Sequence, residues 1–434
     1  MPMIEGLPDV PPALLLLAKE IPACKSWEEM RRRVKGMLRE LRDQSEAFES
    51  ENANRTSDSR NAVRFEVHLD GAMDLLTEKG CRAPKCRVAA ADRIARSVGL
   101  IAERVWLTDL LSGKFVDFGR PTNAKLDEVI VDSVVLSRLA PLIRAGVIRF
   151  RSPWISTCSS CATAFDKQVK VAAGDLARVF GTEFRIERRR DGGFYAHTGE
   201  CTEPTIVFSS VSGRLKRLPS PHNFAKRWVS DELRSTLWKA REASLTGGAV
   251  FSNSRIGLAG LLKHDGRLVD MRTLLLLDKE REFSVPWVSE LDASQIVQLR
   301  EEASFALPAF RERMARAMSV PSTETLSSTT SSTVVAELRE QAAEVRAELE
   351  AKRKNSARYW KTTYGLLGLG LSAYGVAADQ LLPGIGGLLS VIYLLINHKT
   401  GHESDVSKLT SKPGFVLVKA QDILSHAHEG RHGV

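Results

Sequence analysis

Apolar residues recur with two different periods along this chain, and the places where one period gives way to the other define its elements. Over residues 26–43, Met30, Val34, Met37, Leu38 and Leu41 share a face at helical spacing. Ser26 stands where an N-cap belongs, with Glu29 three residues on. The polar run QSEAFESENANRTSDSRN that follows has little to bury and reads as a mobile connection. Val63, Phe65, Val67 and Leu69 then alternate with polar residues, the period of a half-buried strand. Helical spacing returns over 88–103, RVWL at 104–107 is strand-like, and LDEVIVDSVVLSRLAPLIRAGVIRF runs from helix through Gly146 into a strand over 147–150. A hairpin is expected over 183–197, where Asp191-Gly192-Gly193 supplies the positive φ values a tight turn needs. Further helices fit 221–244 and 292–318, the second opening on Asp292 and Gln295 as a capping pair.

Between Ser322 and Thr333 ten of the twelve residues are Ser or Thr, too polar a run to bury itself, and the main domain boundary is expected there. Beyond it Val335, Leu338, Ala342, Val345 and Leu349 step by three and four, the seam of a helix that needs a partner. The pattern fades at Lys352 and Ser356, so dimerisation as a coiled coil and packing on the C-terminal neighbour both remain open. From Gly365 to Ile396 Asp379 is the one ionisable residue, and Pro383-Gly384 marks a turn. The arms 365–378 and 381–396 would be roughly 21 and 24 Å long as helices, short of the roughly 30 Å of bilayer hydrocarbon. Lys352, Arg353, Lys354, Arg358 and Lys361 precede the stretch and Lys399, Lys408 and Lys412 follow it, as suits a hairpin that enters and leaves a membrane on one side. Gly368/Ser372 and Gly386/Ser390 would let the arms approach closely. Three readings stand together: a buried hairpin in a soluble module, insertion into a membrane surface, and self-association with another copy.

These elements give a helix-rich mixed body, α/β or α+β, with a C-terminal all-α module made of a long helix and a glycine-rich helical hairpin. The expected divisions are 1–62 (a helical segment and polar connection), 63–320 (the mixed body, with a zinc knuckle over 151–210), 321–333 (the linker) and 334–434 (the helical module).

Composition narrows the class without naming a function. With 434 residues, 43% hydrophobic and 26% charged, the chain is neither wholly disordered nor a polytopic membrane protein. A formal charge of +9 admits nucleic acid or an acidic membrane surface as partner and decides neither. The N-terminus lacks the basic lead and long apolar core of a secretion signal, so a cytoplasmic protein with reduced cysteines is expected.

Thiolate ligands are then available. Cys158-Ser-Ser-Cys161 has the spacing that brings two sulfurs to one zinc, and His197 and Cys201 lie near the end of the expected hairpin. Together they would make a closed, structural Cys3His zinc site; the alternative is a set of unliganded, buried cysteines, and a redox role is less expected because no thioredoxin-type strand and helix frames the pair. In VHLDGAMD, His68, Asp70 and Asp74 lie close together, and His68 and Asp70 share a strand face. A strand-end carboxylate could hold a metal, yet the pattern reads first as a solvated face. His398, His402 and the terminal HAHEGRH, lacking an HExxH arrangement, read as polar tail or as adventitious metal binding. Arg31 to Arg33, Arg188 to Arg190, and Arg214, Lys216 and Arg217 form basic clusters that could meet phosphate, although Glu187 and Asp191 interrupt the second. The chain contains no GxxxxGK[ST], no GxGxxG after a strand and no GxSxG elbow.

Two segments, LSRLAPLIRAGVIRF (136–150) and LREEASFALPAFRERM (299–314), resemble a group of uncharacterised bacterial proteins. The resemblance covers about a tenth of the chain; it implies a bacterial, cytoplasmic origin and a similar mixed fold, and attaches no activity to any residue. The function expected is that of a non-enzymatic binding or assembly protein whose C-terminal hairpin meets a membrane or another copy. The alternatives are a nucleic-acid-binding protein using the basic clusters and a metal-dependent hydrolase built on Asp70, Asp109 and Asp132, the last of which requires those carboxylates to converge.

Overall fold

The computed structural model describes residues 9–53, 66–77, 83–151, 158–182, 184–190, 193–197, 206–208, 218–246, 248–252, 254–264, 287–318, 336–351 and 408–429. It divides into two compact units, Met1–Glu282 and Phe283–Val434. The division therefore falls before the 292–318 helices, which the sequence pattern groups with the main body, and the Ser/Thr tract lies outside the described residues.

The first unit opens with α1 (Pro12–Glu20) and α2 (Trp27–Ala53). The cap at Ser26 forms as expected: its Oγ accepts from Glu29 N–H at 3.2 Å while Glu29 Oε2 accepts from Lys25 N–H at 2.8 Å. The helix continues through residues 44–53, which their polar pattern assigns to a connection. It does so because it packs on the later helices Leu111–Val116 and Asn123–Arg144 and buries Ser45 completely. Tertiary packing overrides local polarity here.

Strand β1 (Glu66–Asp70), helix α3 (Pro84–Arg96), the single turn α4 (Val98–Ile101), strand β2 (Arg104–Thr108), the short α5 (Leu111–Val116), α6 (Asn123–Arg144) and strand β3 (Ile148–Arg151) follow in order. Gly146 at φ +70° ends α6, and Val147 N–H donates back to Leu142 O at 3.0 Å, so the chain reverses directly into β3. Then come α7 (Ser159–Phe180), the antiparallel sheet β4 (Arg185–Arg188), β5 (Phe194–His197) and β6 (Ile206–Phe208), α8 (Pro221–Thr246), β7 (Ala249–Ser252) and α9 (Arg255–His264). The expected hairpin is the β4/β5 pair, with Arg185 opposite His197 and Arg188 opposite Phe194.

The principal sheet is parallel throughout, in the order β3-β2-β1-β7. Successive connections β1 to β2 and β2 to β3 step in one direction, and the return to β7 steps in the other. Right-handed crossovers then place α3 and α6 on one face of the sheet and α8 on the opposite face. α3 packs on α6, and α8 packs on β1 and β7. The register groups Val67, Leu69, Val105, Leu107, Ile148 and Phe150 on the first face. Glu66, His68, Asp70, Trp106, Thr108, Arg151 and Ser252 fall on the second. The alternation of β1 predicts a half-buried strand; all five of its residues are buried, because α8 covers the polar side.

The second unit contains α10 (Ala293–Glu302), α11 (Leu307–Met318), a helix α12 over residues 336–351, and α13 (Phe415–Glu429). Asp292 and Gln295 form a reciprocal capping box at the start of α10. Leu338, Ala342 and Val345 on α12 are buried, and a Cβ on Gly414 would lie 2.6 Å from Ala342 N. Arg346 pairs with Asp422 at 2.9 Å and Lys412 with Glu348 at 3.8 Å. The seam of the long helix is therefore met by residues from 412 onward in the same chain. The apolar stretch 365–396 lies outside the described residues, and among the described residues no helix is long and apolar enough to cross a membrane.

Candidate functional site

The polar face of the parallel sheet converges at the carboxyl ends of β1 and β7. These two strands flank the point where the strand order reverses, which is where open α/β sheets leave a crevice for ligands. Asp70 ends β1 and is completely buried. Its Oδ2 accepts from Thr236 Oγ1 at 2.5 Å and Ser252 Oγ at 2.8 Å. Its Oδ1 accepts from Ser235 Oγ at 3.0 Å and lies 3.4 Å from Lys239 Nζ. Asp74 follows one 3-10 turn later. Its Oδ1 accepts from Thr108 N–H at 2.8 Å, and its Oδ2 from Thr108 Oγ1 at 2.6 Å and from Lys239 Nζ. The Lys239 ammonium thus bridges two buried carboxylates, the position a metal ion would take in a carboxylate-based hydrolase.

Helix α9 closes the cluster. Ser254 Oγ accepts from Gly257 N–H at 3.1 Å and donates to Glu232 Oε2 at 3.2 Å, while Ser254 N–H donates to Ser252 Oγ at 3.1 Å. A Cβ on Gly257 would lie 2.4 Å from Thr236 Oγ1 and 3.2 Å from Asp70 Oδ2. Only glycine lets the first turn of α9 approach the carboxylate this closely, and the positive end of that helix then faces Asp70.

Next to this cluster His68 stacks on Trp106 with ring centroids 6.2 Å apart, and its Nδ1 lies 3.0 Å from Arg151 Nη1. Burial holds the imidazole near a pKa of about 3, with Arg151 and Lys239 adding to the effect. The ring is neutral at pH 7, and because a guanidinium only donates, Nδ1 must be the acceptor and Nε2 must carry the proton. Arg151 is ion-paired with Glu242 on α8; burial lowers its pKa, opposed by Asp74 and Asp70. Glu66 accepts from Trp106 Nε1 and lies 3.9 Å from Arg104.

The structure overturns the solvated-face reading of VHLDGAMD: His68, Asp70 and Asp74 are 3%, 0% and 1% exposed. Asp109 and Asp132 have other partners. Asp109 accepts from Leu111 and Ser112 N–H at 3.0 and 2.9 Å and caps α5; burial raises its pKa to about 6 against those bonds, with Glu49 adding. Asp132 on α6 is paired with Arg87 and, at 3.6 Å, with Lys114. The three carboxylates of the hydrolase reading are held by three separate sets of partners.

Of the expected zinc ligands, Cys158 and Cys161 are exposed at the start of α7. His197 lies 3.3 Å from Glu187 on the neighbouring strand, and Cys201 lies outside the described residues. Among the described residues no group of three or more His, Cys, Asp or Glu is placed to hold a metal ion. Of the basic clusters, Arg189 stacks over the exposed Tyr195 ring at 5.2 Å, Arg31 pairs with Asp127 at 2.7 Å, and residues 214–217 lie outside the described residues.

Sequence pattern missed Ser235, Thr236, Lys239 and Glu242 on α8. With Glu232 they recur at three- and four-residue steps, a polar stripe that on most helices faces water. Comparison with known protein families, with curated proteins and with solved structures finds no match to this chain.

Proposed function

We propose that the chain is a binding or assembly protein, and that its first unit takes a small polar ligand at the carboxyl ends of β1 and β7. The observation that supports this reading is the set of buried ionisable side chains on one sheet face. Burying paired charges costs several kcal/mol per ion, of order what a well-packed apolar replacement would recover. A cost of that kind gathered at a switch point is characteristic of a site. Asp70, with both oxygens occupied by donors, serves as an anchor that orients Ser235, Thr236 and Ser252, while Glu232, Ser254, Glu242 and Arg151 form the rim that a ligand meets. The test is thermal denaturation of the full chain against a panel of nucleotides, sugar phosphates, amino acids and polyamines. A ligand at a hundred times its Kd should add about 2.7 kcal/mol of stability, and Glu242→Gln or Ser254→Ala should reduce that gain. No shift from any member, or a shift that neither variant alters, sinks the reading.

A second role is favoured by the second unit, where Gly414 against Ala342 and Lys412 against Glu348 bring the two ends of segment 352–407 to one helical body. That arrangement suits presentation of the apolar stretch 365–396 to a membrane or a second copy. Flotation of the full chain with vesicles of phosphatidylcholine and phosphatidylglycerol, together with its oligomeric state in solution, tests this role. A monomer recovered wholly in the vesicle-free fraction removes it.

A further inference from the structure

We propose that Cys158 and Cys161 form a redox-active dithiol that reduces accessible disulfides, an activity separate from the switch-point site. Cys158 is the N-cap of α7, a helix of 22 residues, with extended backbone (φ −69°, ψ 153°). Its sulfur accepts from Cys161 N–H at 3.4 Å and lies 3.1 Å from Ser160 Oγ. Both cysteines are exposed, so a bulky disulfide can reach them. Residues three apart at a helix start are neighbours, roughly 5–6 Å between Cβ atoms, and a Cys-x-x-Cys pair in this position closes to a disulfide with a small adjustment of the first turn. The helix N-terminus, the Cys161 N–H and the Ser160 hydroxyl all favour negative charge on the Cys158 sulfur, which makes it the attacking group. Cys161, one turn inside the helix, is placed to resolve the intermediate.

In the reaction the Cys158 thiolate attacks one sulfur of RS–SR′. The S–S bond breaks, R′S⁻ leaves and takes a proton from water, and Cys158 is joined to R in a mixed disulfide. Cys161 loses its proton to water and its thiolate attacks the Cys158 sulfur, forming the Cys158–Cys161 disulfide and releasing RS⁻, which also takes a proton from water. Two electrons pass from the dithiol to the substrate, which ends as two thiols, and an external dithiol reductant restores the starting state.

The experiment treats the reduced full-length chain with glutathione disulfide, quenches with acid, alkylates and maps the cysteine peptides by mass. The expected result is joint loss of the Cys158 and Cys161 thiols as one intramolecular disulfide, reversed by dithiothreitol. Cys161→Ser should stall as a glutathione adduct on Cys158, and Cys158→Ser should yield no disulfide at Cys161. Circular dichroism of both variants confirms the fold, since both positions are exposed. The proposal is overturned if Cys158 carries only the glutathione adduct in the wild-type chain. It is equally overturned if the purified protein holds stoichiometric zinc that shields both thiols from alkylation until a chelator removes it.

Discussion

The two faces of the parallel sheet are built from the same four strands and obey different rules. On the face toward α3 and α6, Val67, Leu69, Val105, Leu107, Ile148 and Phe150 are at most 2% exposed, and their removal from water needs no particular partner. On the face toward α8, His68, Asp70, Asp74 and Thr108 are buried almost as deeply, and each requires a donor or acceptor at a definite place. The apolar face tolerates exchange of one aliphatic side chain for another of similar volume. The polar face tolerates little, because loss of one member leaves its partner buried and unsatisfied. The difference indicates that the apolar face stabilises the fold and the polar face specifies a single arrangement of α8, β7 and α9 around Asp70.

The largest expected effect comes from breaking the polar face at the ammonium that bridges its two carboxylates. Lys239→Met removes the ammonium between Asp70 and Asp74 and leaves two adjacent buried carboxylates, at a cost of about 5 kcal/mol in urea unfolding. The triple variant Lys239→Met, Asp70→Asn, Asp74→Asn should recover most of that loss, because the charges then disappear together. If the triple variant is no more stable than the single one, the network is required for folding and its excess charge gives no argument for a ligand. On the apolar face Leu69→Ala should cost about 3 kcal/mol, by transfer and cavity terms alone, with no effect on ligand binding at the polar face. A loss of binding there would erase the distinction between the faces.

The sequence pattern revealed whatever is local. The caps at Ser26 and Asp292, the reversal at Gly146 and the order of helices and strands all rest on residues within a few positions of one another. The helix-rich mixed fold follows from that order. The site was half legible: His68, Asp70 and Asp74 stood together, while Lys239 joins Asp74 across 165 residues, Thr236 joins Asp70 across 166 and Ser252 across 182. No periodicity carries information over that span. A polar strand face also looks the same in sequence whether water or a polar helix covers it, which is why the pattern indicated solvation where the structure has burial. The 44–53 extension of α2 was hidden for the converse reason, since its helicity is imposed by packing and not by its own residues.

The third effect is on acid stability. The folded pKa of His68, about 3, lies below the ordinary imidazole value of 6.5, so its neutral, buried form is fully compatible with folding above about pH 6.5. That compatibility is lost as pH falls toward 3, because the unfolded chain takes up the proton first. By pH 5 the loss should reach about 2 kcal/mol. His68→Gln keeps an acceptor for Arg151 and does not titrate, so its stability should be nearly equal at pH 7 and pH 5 apart from the contributions of other groups. Equal acid sensitivity in the two proteins would show that His68 is not held neutral by the polar face.

The smallest effect concerns Asp109, at the carboxyl end of β2 beside the cluster, and it runs in the opposite direction. Burial raises its pKa to about 6, against an ordinary carboxylate value of 3.8. A carboxylate raised in this way destabilises the fold fully above pH 6 and ceases to do so below about pH 4, where it is protonated in both folded and unfolded chains. Keeping it charged in the folded chain at pH 7 costs about 3 kcal/mol. Asp109→Asn removes the buried charge yet keeps a carbonyl oxygen for the Leu111 and Ser112 N–H groups, giving up only the charge-assisted part of those bonds. The net expectation is a gain of about 1–2 kcal/mol at pH 7 that shrinks to nothing near pH 4. Chemical denaturation of the two proteins at pH 4, 5.5 and 7 measures it. A loss of stability at pH 7 would mean that Asp109 has a cationic partner in solution and belongs with the paired carboxylates of the polar face; a gain that vanishes on acidification keeps it apart from them, as an isolated charge tolerated for the start of α5.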